Sequence, residues 1–102
     1  MSALALPAID FPPGTCLLVA TPIGNLDDMT LRGLAALAAA DVVYAEDTRR
    51  TRRLLARYGL PARLASYHDH SRDAVVAAIV ERLRAGERVA VVSDAGTPGV
   101  SD

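Results

Sequence analysis

The sequence has no lysine, a single cysteine, and only three tyrosines and one phenylalanine as aromatic residues. Without lysine, the chain can supply neither a Schiff-base lysine nor the lysine of a P-loop. The single cysteine, Cys16, can form neither an internal disulfide nor a cysteine cluster for zinc, which fits a reducing compartment such as the cytoplasm. Because aromatic residues make up only 4 % of the chain, a platform for stacking nucleic-acid bases is poorly supported.

Further absences concern phosphate binding, membranes and charge. Neither G-x-G-x-x-G nor G-x-x-x-x-G-K-[ST] occurs, which weakens an interpretation as a dinucleotide- or nucleoside-triphosphate-binding protein. Residues 1–13 have no basic start and no long apolar run, so they are neither a signal peptide nor a membrane span. We expect no membrane association, and a loose tail that precedes a domain at residues 14–102. The net charge of −1 excludes a generally basic nucleic-acid binder but allows a local basic patch.

From residue 14 onwards, apolar runs alternate with helical patterns. The runs at residues 16–20, 42–46, 63–67 and 89–92 predict strands, the first of them buried with Cys16 in the core. The patterns between them predict helices at about residues 31–40, 49–58 and 72–85. This β-α-β-α-β-α-β order predicts an α/β domain with a mostly parallel sheet and flanking helices.

Local signals predict where the helices begin and end and which faces they bury. The N-caps are expected at Asp27, Asp28 or Thr30, at Asp47 or Thr48, and at Ser71, and Gly59 and Gly86 should end the last two helices. Apolar spacing predicts these inward-facing residues, in chain order: Leu34, Leu37, Leu54, Leu55, Tyr58, Val75, Val76, Ile79, Val80 and Leu83.

The loops that follow the four strands form the candidate site. They should gather at one edge of the sheet, which is where open α/β sheets bind ligands. The last loop, residues 93–102, places small polar residues around Gly96 and Gly99, although an ordinary strand-to-helix turn is the simpler alternative. His68 and His70 form a conceivable metal pair, but no further ligand is evident, so a solvated loop is favoured and no metal is predicted.

Two carboxylates, Glu46 and Asp47, follow the second strand. Asp47 can cap the next helix, with Glu46 exposed or paired with an arginine. Alternatively, one of the two could orient or deprotonate a hydroxyl group, or face a cationic cofactor. The residues alone do not separate these two interpretations.

Five arginines crowd the second helix, and Arg49, Arg53 and Arg57 share one face because they are four residues apart. Like charges at that spacing destabilise a helix, so an anionic partner such as RNA phosphate would be favourable there. The alternative is an ordinary solvated helix face.

Three motifs stand at strand ends: A-T-P-I-G-N-L-x-D-x-T-L-R at residues 20–32, A-E-D-T-R at 45–49, and V-S-D-A-G-T-P-x-x-S-D at 92–102. Together they resemble the ribosomal RNA small subunit methyltransferase I family, within the tetrapyrrole methylase superfamily. The resemblance implies an S-adenosylmethionine-dependent enzyme that methylates a cytidine ribose 2′-hydroxyl in 16S rRNA. It also implies two α/β domains with the cofactor between them, of which this chain matches the amino-terminal one. We call the longer form the two-domain protein.

By the same resemblance, roles can be expected for single residues. Glu46 or Asp47 would act as the base or orient the substrate, and Arg49, with Arg53 and Arg57, would hold RNA phosphate. The full-length protein would be a cytoplasmic homodimer. The alternatives are methylation of a tetrapyrrole or another small molecule, and an inactive half-domain that binds cofactor weakly. The residues expected beside the cofactor are Pro22, Gly24, Asp94, Ala95, Gly96 and Thr97.

Overall fold

The computed structural model describes residues 6–22, 26–61, 63–66 and 71–94. Four strands alternate with three α-helices in the predicted order. A short 3-10 helix at Leu26–Asp28 precedes the first α-helix. The elements are β1 (Cys16–Thr21), α1 (Leu31–Ala39), β2 (Val42–Ala45), α2 (Thr48–Arg57), β3 (Leu64–Ser66), α3 (Arg72–Arg84) and β4 (Val89–Asp94).

The four strands form one parallel sheet in the order β1-β4-β2-β3. From β1 to β2 and from β2 to β3 the chain moves in one direction across the sheet, and from β3 to β4 it moves back. Right-handed crossovers therefore place α1 and α2 on one face and α3 on the other. The two buried clusters agree, because Leu37 and Leu54 pack with Val43, whereas Val75 packs with Tyr44. The predicted α/β fold is confirmed.

Side-chain caps begin the three helices, and each cap is one of the candidates expected from the sequence. The hydroxyl of Thr30 accepts from the Gly33 amide at 3.0 Å, and that of Ser71 accepts from the Ala74 amide at 3.1 Å. Asp47 caps α2 in the same way. These bonds satisfy amide groups that have no partner inside the helix, so the cap residues set where each helix begins.

Only part of the apolar surface predicted for α3 is buried. Val75 is buried, and Ile79 and Leu83 pack against the same cluster. Val76 and Val80, expected to face inward, are 53 % and 37 % exposed. The expectation was wrong for these two residues because a helix that lies on one face of a sheet buries a single stripe, and positions 76 and 80 lie beside that stripe.

The first strand is buried on one face only, which corrects the expectation of a buried strand with Cys16 in the core. Val19 and Thr21 are buried, whereas Cys16 is exposed and Leu18 is 70 % exposed. Among the described residues β1 forms an edge of the sheet, with α1 packed against it, so alternate side chains face solvent. Desolvation nevertheless raises the pKa of the Cys16 thiol, which disfavours the nucleophilic thiolate.

The segment before β1 has no helix or strand in residues 6–15, but it is not loose throughout. Phe11 is 6 % exposed and packs with the core cluster beneath α1 and α2. Its carbonyl oxygen accepts from Arg88 Nε at 2.6 Å. The expectation of a loose tail up to residue 13 is therefore wrong at Phe11, because a lone aromatic residue among prolines carries no periodic signal of burial.

We predict that Phe11→Ala destabilises the chain by about 3 kcal/mol, because it removes a buried aromatic ring and leaves a cavity. Leu31→Ala is the control, since Leu31 is 54 % exposed and should change the free energy of unfolding by less than about 0.5 kcal/mol. Urea unfolding of both variants provides the measurement. Equal midpoints for the two would show that Phe11 does not stabilise the fold.

Candidate functional site

The carboxyl ends of β1 and β4 lie side by side. The register places Ala20 opposite Ser93 and Thr21 opposite Asp94. Thr21 is 1 % exposed, and its hydroxyl donates to the Ser93 carbonyl oxygen in a long hydrogen bond of 3.5 Å. The two loops predicted to contact the cofactor therefore leave the sheet from adjacent strands.

The end of β2 lies on the other side of β4, because β4 pairs with both β1 and β2. Glu46 follows this strand at a bend and is exposed. The structure thus brings to one edge of the sheet the strand ends at which the three sequence motifs begin, as expected from the strand pattern. That edge carries Glu46 and Asp47, and carboxylates suit a cationic or hydroxyl-bearing ligand.

Asp47 is the N-cap of α2. Its Oδ1 accepts from the Arg50 amide at 3.0 Å, and the residue is exposed. This is the capping role that the sequence left open. A carboxylate that caps through one oxygen retains a second oxygen, so the contact does not by itself exclude a further role.

Arg50 reaches the candidate site, although the sequence patterns did not single it out. Its Nη1 donates to the Thr21 hydroxyl at 3.4 Å, and its Nη2 donates to the Pro22 carbonyl oxygen. The available signal was its position four residues before Leu54, which is fully buried. That spacing places Arg50 at the inner side of α2. The arginines spaced four residues apart, in contrast, indicated the outer side of the helix.

Arg57 is paired with an acidic residue of the connection between β1 and α1. Its Nε and Nη2 lie 2.5 Å and 2.8 Å from the two carboxylate oxygens of Asp27. The hydrogen bonds from Arg57 hold the pKa of Asp27 below its ordinary value and raise that of the guanidinium. Both side chains are about half exposed, at 53 % and 56 %. The structure therefore separates Arg57 from the two arginines with which it was grouped.

Arg49 and Arg53 are exposed on α2. Within the described ranges neither makes a salt bridge. Their position fits a phosphate contact and fits a solvated helix face equally, so their predicted role stays a prediction.

The remaining expected site residues are only partly covered by the structure. Pro22 is half-buried directly after β1, and Asp94 ends β4. Gly24, Ala95, Gly96 and Thr97, and the histidine pair His68 and His70, lie outside the described residues. In the part of the chain that is described, no group of three or more His, Cys, Asp or Glu residues could hold a metal ion. Nor does any helix there have the length and apolar character needed to cross a membrane.

A groove of about 390 Å³ lies elsewhere, between β1 and α1. None of the predicted site residues lines it, so the candidate site is formed by strand ends and not by this groove. Its lining residues are Ile9, Asp10, Leu17, Leu18, Val19, Ala20, Thr30, Arg32, Gly33 and Ala36.

The fold and the strand-end motifs define a methylase domain. Residues 15–102 match the family of Tetrapyrrole (Corrin/Porphyrin) Methylases, and the chain belongs to this family. Among solved structures it is similar to a cobalamin biosynthetic enzyme, cobalt precorrin-4 methyltransferase. The TM-score is 0.69 at 26 % identity, and the match covers 84 % of this chain and 36 % of that one.

The resemblance to one branch of this superfamily is also confirmed. The chain is 55 % identical over 85 residues to the ribosomal RNA small subunit methyltransferase I of Mesorhizobium japonicum, covering 83 % of this chain and 29 % of that protein. It is 53 % identical over 89 residues to the protein of the same name from Neisseria meningitidis serogroup A, covering 87 % and 31 %. The chain therefore spans less than a third of the length of these relatives.

We predict that Asp27 titrates below the ordinary aspartate pKa of about 3.9. Because its pKa is lowered in the folded state, the pairing with Arg57 stabilises the fold above that ordinary value and is lost as the pH falls through the lowered one. Carbon-detected NMR of the Asp27 carboxyl group measures the midpoint directly. Arg57→Gln should return it towards the ordinary value, and an unchanged midpoint would contradict the ion pair.

Proposed function

We propose that this chain carries the amino-terminal half of the site of an S-adenosylmethionine-dependent enzyme that methylates a cytidine ribose 2′-hydroxyl in small-subunit rRNA. The observation that carries the proposal is the meeting of three motifs at one sheet edge: Pro22 after β1, Glu46 and Asp47 after β2, and Asp94 at the end of β4. The names of the relatives support rRNA as the substrate class. In the cell we expect a cytoplasmic homodimer acting on the small ribosomal subunit.

The described residues fit S-adenosylmethionine as the methyl donor. When bound, this cofactor supplies an electrophilic methyl group on a sulfonium. The paired ends of β1 and β4 form one continuous wall from Thr21 and Pro22 to Asp94, and Gly24 and residues 95–97 would extend it. A wall fixed by strand pairing holds a ligand in one orientation, and such positioning supplies much of the rate of an in-line transfer.

We assign the proton acceptor to Glu46 and the helix cap to Asp47. A ribose hydroxyl is a poor nucleophile until its proton is removed, so a carboxylate within hydrogen-bond reach accelerates the attack. Asp47 accepts the Arg50 amide as the cap of α2. Glu46 directly follows the end of β2 and is exposed, so a substrate can reach its carboxylate. Glu46 would accept the proton of the 2′-hydroxyl, which makes the hydroxyl oxygen a better nucleophile.

The names of the relatives favour RNA over a tetrapyrrole as the substrate, and the exposed Arg49 and Arg53 would then contact phosphate. Both arginines lie in α2, the helix that begins just after Glu46. A phosphate bound by them would therefore place a neighbouring ribose near the Glu46 carboxylate. Arg57 would contribute less, because Asp27 already holds its guanidinium. A tetrapyrrole or other small-molecule substrate, and an inactive half-domain, remain the alternatives that the experiments distinguish.

The direct test gives the two-domain protein labelled S-adenosylmethionine and small ribosomal subunits that lack the modification. We expect label in a cytidine ribose, with Glu46→Gln reducing turnover about 100-fold while cofactor binding persists. Asp47→Asn is the matched control and should stay near wild type, because asparagine caps a helix about as well.

The other outcomes of that experiment have definite meanings. Label in a base instead of a ribose would contradict the proposed acceptor, and full activity of Glu46→Gln would remove Glu46 from the mechanism. Transfer to a tetrapyrrole but not to the ribosomal subunit would favour the alternative substrate. The 102-residue chain alone is expected to be inactive, because one open wall leaves most of the cofactor surface in water.

The arginines permit a separate prediction about RNA affinity. Arg53→Gln should weaken binding of small-subunit RNA. The slope of the logarithm of the binding constant against the logarithm of the salt concentration should also become less steep, by the amount expected for about one lost phosphate contact. Arg72→Gln removes the same charge from an exposed position on α3 and serves as the control. Filter binding at several salt concentrations measures both slopes. Identical slopes for the two variants would assign Arg53 to a solvated face.

A further inference from the structure

We propose that Arg50 is a positioning residue that fixes, relative to each other, the two strand ends from which the cofactor loops leave. The inference rests on the proposed function, because it assigns Arg50 a role in cofactor affinity. Arg50 belongs neither to the three motifs nor to the arginines expected to bind RNA. Its guanidinium bonds to two groups at the point where β1 ends, the Thr21 hydroxyl and the Pro22 carbonyl oxygen.

The Thr21 hydroxyl connects Arg50 to the second cofactor loop. Its oxygen accepts from Arg50 Nη1 and its hydrogen is directed to the Ser93 carbonyl oxygen. A threonine hydroxyl has one donor and two acceptor positions, so both bonds can exist together. The series Arg50–Thr21–Ser93 therefore joins α2, β1 and β4 through side-chain hydrogen bonds. It does so one residue before Pro22 and one residue before Asp94.

A planar guanidinium is suited to this task in a way that an ammonium group is not. Its forked donors can bond to a hydroxyl and a carbonyl at the same time, and they do so here in a half-buried setting. The Arg50–Thr21 contact is long, at 3.4 Å, and it is shielded from water because Thr21 is 1 % exposed.

Arg57 gives the same helix a second hold on the β1–α1 connection. It lies seven residues, about two helical turns, after Arg50 and therefore on nearly the same side of α2. Asp27, its partner, lies in the 3-10 helix in the middle of that connection. The exposed pair contributes little by itself. Arg50, at the buried end, is accordingly the stronger hold.

The consequence concerns the cost of binding. A loop that is not held must be ordered when its ligand arrives, and the lost entropy reduces affinity. With the start of each cofactor loop held by the Arg50–Thr21–Ser93 series, less ordering remains to be done. Loss of Arg50 should therefore raise the dissociation constant and the KM for S-adenosylmethionine more than it lowers kcat.

The experiment compares Arg50→Gln, Arg50→Lys and Thr21→Val in the two-domain protein with Arg52→Gln as the control. Arg52 is an exposed residue of the same helix and carries the same charge. Calorimetry with S-adenosylmethionine should show a dissociation constant about tenfold higher for Arg50→Gln, and lysine should not restore it. Arg52→Gln should match wild type.

Two further readouts separate positioning from a general loss of stability. The double variant Arg50→Gln with Thr21→Val should bind no more weakly than the worse single variant, because both changes break one series of bonds. Hydrogen exchange without cofactor should accelerate at residues 20–21 and 93–94 in Arg50→Gln but not in Arg52→Gln. If Arg50→Gln fails to fold, Thr21→Val alone should still raise the dissociation constant.

The failures are distinguishable. Wild-type protein that binds no S-adenosylmethionine would overturn the proposed function and this inference together. Normal wild-type binding with equal dissociation constants for Arg50→Gln and Arg52→Gln would overturn the inference alone, as would additive effects in the double variant.

Discussion

The parallel pairing of β1 with β4 is the contact on which the rest of the structure depends. It joins Thr21 to Ser93 across 72 residues of sequence, and six residue pairs set its register. Because side chains alternate along a strand, a slip of one residue would expose Val19 and Thr21 and turn Leu18 into the core. It would also separate Thr21 from Asp94. The core and the candidate site thus rest on the same register.

This pairing also explains why burial differs so much between two neighbouring strands. In β4, Val89 and Ala90 are fully buried, because α3 covers one face and α1 and α2 cover the other. In β1 only the face towards α1 is covered among the described residues, which leaves Leu18 exposed. Two apolar runs of the same appearance therefore differ in burial according to their position in the sheet order.

The arginines of α2 have different roles because each one contacts different groups. Its apolar side is supplied by Leu54 and Leu55, so the arginines lie on the flanks and the outer face. Arg50 and Arg57 bond to oxygen atoms of the β1–α1 connection. Arg49 lies exposed. Like charges on α2 are therefore partly offset by acceptors from another part of the chain, which weakens the argument that the helix as a whole requires RNA.

The sequence by itself determined the order of elements, the helix caps and the family. Those features depend on residues close in the chain: a cap such as Asp47 acts on an amide three residues away, and an apolar period shows itself within one element. The same local signals located the three motifs at strand ends.

Only the tertiary structure decided which strands are neighbours, and with that which side chains meet. The exposure of Leu18 and Val76, the burial of Phe11, and the bonds from Arg50 to Thr21 all join segments far apart in sequence or depend on their packing. The sequence around a charged residue looks the same whether its side chain faces water or a distant backbone carbonyl group. Arg50, for example, donates to the carbonyl oxygen of Pro22, which is 28 residues away in the chain. The choice between the two is made by packing against another element, because packing alone determines which acceptors lie within hydrogen-bond distance.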